Sequence, residues 1–94
     1  KILAWNPEDI DALNNRGNAY SWSRHYKEAI MDFDKVISIN PDFAMAYHNR
    51  GIAYAWSEDK ERAVEDFKRA CNMGFNPACD SINILGQEGI QRGN

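Results

Sequence analysis

Ninety-four residues, 44% hydrophobic and 12% aromatic, suit one compact domain and leave no room for a second, because so short a chain buries only a modest core. Net charge is -3, with 11 Lys and Arg scattered among 14 acids; nothing forms the basic stripe that a phosphate backbone demands, which argues against nucleic acid as a partner. The apolar stretches fall far short of the roughly 20 residues that span a bilayer, and no charged start leads into an apolar signal segment, so no membrane partner is expected.

In chain order, the first helix is expected after Asn6-Pro7, where Ala12, Leu13, Arg16, Gly17, Ala19 and Tyr20 recur at three- and four-residue spacing. Proline suits a helix start, since its missing N–H would be unpaired there. After the polar stretch Ser23-Arg24-His25-Tyr26, a second helix places Tyr26, Ala29, Ile30, Phe33, Val36 and Ile37 on one face, and Asn40-Pro41 stops it. The scheme then returns: Ala46, Tyr47, Arg50, Gly51 and Tyr54 on one helix, and Ala63, Val64, Phe67, Ala70 and Cys71 on the next. At an offset of 34 residues twelve positions of the unit 7–40 are identical in 41–74, among them Asn15-Arg16-Gly17 with Asn49-Arg50-Gly51, Trp22-Ser23 with Trp56-Ser57, and Asp32-Phe33 with Asp66-Phe67. The short polar connections fit tight antiparallel hairpins. Gly17 and Gly51 each cost about 1 kcal/mol of helix propensity against Ala, which makes sense where another helix must come close.

The residues Leu13, Gly17, Tyr20, Ala29, Phe33 and Pro41 in one unit, and Tyr47, Gly51, Tyr54, Ala63, Phe67 and Ala70 in the next, resemble the pattern of the tetratricopeptide repeat family. The resemblance implies an all-α fold of antiparallel helix-turn-helix repeats stacked as a short right-handed superhelix. Residues 1–6 would be the tail of a preceding repeat, with Ile2, Leu3 and Trp5 as packing residues. Residues 7–40 and 41–74 would be complete repeats, and 75–94 a partial repeat or closing helix with a frayed end at 86–94. The chain then reads as part of a longer array. Pro77 comes two residues later than the period predicts, which leaves the register after Met73 open. Both units depart from the family pattern by carrying Arg16 and Arg50 before the Gly, where Leu is usual. Asp32 and Asp66 recur on the partner helices, and each Arg is expected to reach its Asp across the hairpin.

In proteins that this chain resembles, peptides lie in a concave groove lined mainly by the first helix of each repeat. Carried over residue by residue, the groove positions are Asp11, Asn14, Asn18, Ser21 and Trp22, then Met45, His48, Ile52, Ala55 and Trp56. They fall on a helix face distinct from the Leu13–Gly17–Tyr20 stripe. Trp22 and Trp56 have two readings, flat anchors for a ligand or packing residues that close each hairpin. Asn18 and Asn49 match the two Asn of members that capture a terminal carboxylate, but Asn14, Asn83 and Cys79 stand where cations would be needed. An uncompensated carboxylate is disfavoured, so a neutral or apolar segment is the expected ligand, with a basic residue near Asp11. The rival role is an assembly scaffold or homo-oligomer that associates through exposed repeat ends, around Leu3, Trp5, Ile82 and Leu85.

No motif for a metal, a nucleotide or a nucleophile occurs, so neither enzyme activity nor a cofactor is expected. His48 reads as a groove-wall residue. Cys71 and Cys79 enclose seven residues, a spacing that resembles the cysteine pairs of secreted Sel1-like repeat proteins and implies a disulfide within the hairpin connection. Paired, they place the chain in an oxidising compartment such as the periplasm or the cell exterior; unpaired, they are two small thiols of a cytosolic protein.

Overall fold

The computed structural model describes residues 8–93, with side chains through Leu85. Five helices follow one another: α1 (Ile10–Trp22), α2 (Tyr26–Ile39), α3 (Ala44–Trp56), α4 (Lys60–Asn72) and α5 (Asn76–Gly93). The fold is an all-α array of helical hairpins, as expected. The expected tail of a preceding repeat, with Ile2, Leu3 and Trp5, lies outside the described residues. The segment expected to fray continues α5 as helix to Gly93.

Local chemistry sets each boundary. Asp9 caps α1 by accepting hydrogen bonds from the N–H groups of Asp11 and Ala12 at 3.0 and 3.3 Å, which satisfies two otherwise orphaned donors. Asp59 does the same for α4, accepting from the Arg62 N–H at 3.2 Å. The α1/α2 and α3/α4 turns close identically. Arg24 (φ 69°) and Glu58 (φ 72°) adopt the left-handed conformation, which lets the next N–H, of His25 or Asp59, reach back to the Tyr20 or Tyr54 carbonyl at 2.8 Å. Between α2 and α3 the chain turns differently: the Asn40 side chain accepts from the Asp42 N–H at 3.2 Å, and the Phe43 N–H donates to the Asn40 carbonyl at 3.1 Å. Pro41 therefore sits inside a turn ahead of α3.

The α4/α5 connection replaces this Asn-Pro turn with the left-handed device. Gly74 has φ 98°, and the Phe75 N–H bonds the Ala70 carbonyl at 3.0 Å. The Ala78 N–H then bonds the Phe75 carbonyl as the Ala46 N–H bonds that of Phe43, both at 3.0 Å. Phe75 and Ala78 thus take the places of Phe43 and Ala46, two residues earlier than a strict 34-residue period puts them. This resolves the register left open after Met73.

The core lies along the stack. Phe33 and Phe67, almost fully buried, fill the space beside Gly17 and Gly51. A Cβ on Gly17 would stand 2.6 Å from the Phe33 ring, and one on Gly51 2.7 Å from that of Phe67, so the close approach expected at each Gly is real. Leu13, Val36 and Ala46 join the two hairpins, and Ala78 of α5 enters the Tyr47–Phe67 cluster. Cys71 and Cys79 form a disulfide between α4 and α5, with their Cα atoms 4.9 Å apart. Each helix packs mainly on those beside it in the chain, so the molecule is elongated, 57 × 27 × 17 Å.

Candidate functional site

The wall formed by α1, α3 and α5 carries the residues singled out above, held in place by ion pairs on the hairpins behind it. The Nε and Nη2 groups of Arg16 each donate to Asp32 at 2.8 Å, and Arg50 grips Asp66 in the same bidentate way. Arg50 also donates through Nη1 to Asp34 of the preceding repeat at 2.8 Å. One guanidinium thereby ties its own hairpin shut and couples it to the preceding one. The Asp66 hydrogen bond, followed by that of Asp34, holds the Arg50 pKa above its ordinary value.

The expected wall residues fall into three groups. Asp11, Met45, Trp22 and Trp56 are exposed, and Asn18, Ile52 and Ala55 are partly so. Asn14 and Ser21, by contrast, are buried, 5% and 4% exposed, and their side chains are not open to a partner as the groove positions implied. Asn14 serves the repeat junction: its Oδ1 accepts from Asn49 Nδ2 at 3.0 Å, and its Nδ2 points to the Met45 sulfur at 3.7 Å. Asn49 is thus committed to Asn14 and not held free for a carboxylate. His48 contacts the rings of Phe67 and Phe75, at centroid distances of 5.4 and 5.1 Å, and bonds Ser81 Oγ at 3.2 Å. Burial lowers its pKa below the usual value near 6.5, which favours the neutral ring at physiological pH.

The twin tryptophans differ. Trp56 stands edge-on to Tyr26 of the preceding repeat, with ring centroids 6.4 Å apart, yet remains 49% exposed. Trp22 is 76% exposed. Packing and open surface therefore coexist at Trp56, and open surface dominates at Trp22.

Below Trp56 a depression of about 370 Å³ opens between α3, α4 and α5. Ile52, Ala55 and Trp56 of the expected set meet there with Lys60, Phe67, Ser81, Ile84 and Leu85. Sequence reasoning missed Lys60, Ser81 and Ile84. The 34-residue period gives Ile84 the place of Arg50; the shortened α4/α5 turn gives it that of Ile52, 56% exposed on the wall. The repeated spacing of Phe43 to Ala46 and Phe75 to Ala78 carries that signal. Ile82 and Leu85, expected on an open end face, pack against the Tyr47–Phe67 cluster. Under the observed register Pro77 and Ser81 replace Cys79 and Asn83 at the remaining positions compared with carboxylate binders, and neither is a cation.

No group of three or more His, Cys, Asp or Glu among the described residues could hold a metal ion, and no helix there is long and apolar enough to cross a membrane. Paired helices stacked through small-to-aromatic contacts, with a wall of surface side chains on alternate helices, define a helical-repeat protein. Tetratricopeptide repeat models match residues 10–43 and 43–74, together more than half of the chain, and the chain belongs to the tetratricopeptide repeat family. Repeats of this family are in general protein–protein interaction modules and form a non-catalytic class. No curated protein matches the chain.

Proposed function

We propose that the chain is a binding module, without catalysis of its own, whose concave wall receives an extended segment of a partner protein within a larger multi-repeat protein. The observation that carries this reading is the exposure of large apolar side chains along one wall: Trp22 at 76%, Met45 at 41%, Trp56 at 49% and Ile84 at 56%. Water-exposed aromatics on a rigid helical frame lose little conformational entropy on binding and bury large areas, which is why such residues dominate interfaces. Asn18 offers both donors and an acceptor to a ligand backbone, and Asp11 offers a negative charge near one end. The Cys71–Cys79 disulfide fits work in an oxidising compartment.

The test is a peptide-array comparison of the wild type with Trp22→Ala/Trp56→Ala, after circular dichroism shows both to be helical. Selective binding that disappears in the folded double variant supports the reading. Binding that survives the double substitution unchanged rejects it and moves the partner surface elsewhere.

A further inference from the structure

The depression between α3, α4 and α5 is at the small end of the roughly 300–1,000 Å³ that ligand sites occupy. It has room for one or two side chains, not for a helix. Ile84 and Trp56 form open apolar banks, and Phe67 is part of the floor. Two polar side chains complete the lining. Ser81 Oγ is already engaged, with the Pro77 carbonyl and the His48 ring, each at 3.2 Å. Among the described residues Lys60 is the one charged residue of the lining, is exposed, and makes no ion pair. Its sequence neighbour Asp59 is paired with Arg62 at 3.3 Å, and Lys60 also lines a second hollow together with Glu61, Val64 and Glu65.

We infer that this depression is an anchor pocket for one large apolar side chain, Leu, Met or Phe, of an extended peptide, and that Lys60 selects peptides carrying a carboxylate close to that side chain. The inference rests on the concave-wall reading above and narrows it to a chemical class of ligand. Burial of the apolar side chain against Ile52, Trp56 and Ile84 supplies the affinity. The ammonium supplies discrimination: among the described residues, seven neutral lining residues and one cation without an ion pair favour an anion beside it and repel a ligand lysine. Lys60 stands on α4, off the first-helix wall, so this selection is separate from the Asn positions compared with carboxylate binders.

Titration calorimetry with terminally blocked hexapeptides on a Gly/Ser background tests it. One peptide carries Leu and Glu two residues apart, a second replaces Glu by Lys, and a third replaces Leu by Ala. The Leu/Glu peptide binds best. Loss of Leu weakens binding by about tenfold or more, and Glu to Lys weakens it roughly threefold, an effect that shrinks in high salt. In the Lys60→Glu protein the order of the Glu and Lys peptides reverses, and Ile84→Ser weakens every Leu peptide. Both substituted side chains are exposed, so both variants keep the fold. An unchanged charge preference in Lys60→Glu, or indifference to Leu, overturns the inference. Binding lost in Trp22→Ala but untouched by Ile84→Ser overturns the pocket and leaves the concave-wall reading standing. Absence of binding by any of these peptides and on the array overturns both.

Discussion

At the residue scale, the repeated letters carry structural work that separates cleanly by position. Arg16 and Arg50 were legible as partners of Asp32 and Asp66 because both members recur at the same offset, and the structure shows both pairs as bidentate. The link from Arg50 to Asp34 was not legible, since Lys68 stands at the corresponding place in the next unit and no repeated letter marks it. The two glycines were legible as close-approach sites. Their aromatic partners leave no space for a methyl group, and at Gly51 the Ala63 carbonyl also lies 3.2 Å from where a Cβ would stand. Gly51→Ala is therefore expected to lower stability by about 1–3 kcal/mol through overpacking, although Ala is the better helix former. Urea unfolding measures this; a variant as stable as the wild type would mean that Phe67 yields freely.

At the scale of elements, α1 to α4 follow from periodicity, while α5 shows what periodicity leaves out. Hydrophobic spacing sees side chains on a helix, but the start of the next helix is set by backbone chemistry in the turn. Gly74 with its positive φ makes a shorter turn than Asn40-Pro41 and moves α5 by two residues. The same shift places Ile84 on the wall and Ala78 in the core. Since α5 has no second helix of its own among the described elements, its hold on the stack rests on Phe75, Ala78, Ile82, Leu85 and the disulfide. Cys71→Ser/Cys79→Ser is expected to cost about 2–3 kcal/mol by freeing the unfolded chain. The loss concentrates at the end of the array, so amides of α5 exchange faster while those of α1 to α3 change little. Equal acceleration along all five helices would show one cooperative unit instead.

For the whole molecule, hairpins coupled by Leu13, Val36 and Ala46, by Arg50–Asp34 and by Asn14–Asn49 make a frame in which alternate helices share one wall. That wall was partly legible. Asp11, Asn18, Trp22, Met45, Ile52, Ala55 and Trp56 all have accessible surface, whereas Asn14 and Ser21 are buried, Asn14 in contact with Asn49 and Met45 of the next repeat. The proposed partner segment lies along this wall. The most direct measurement is backbone amide chemical-shift mapping with a peptide selected by the array. Shifts are expected along α1, α3 and α5, including the indole N–H signals of Trp22 and Trp56. Shifts confined to the outer face of α2 and α4, around Met31 and Lys68, would contradict it.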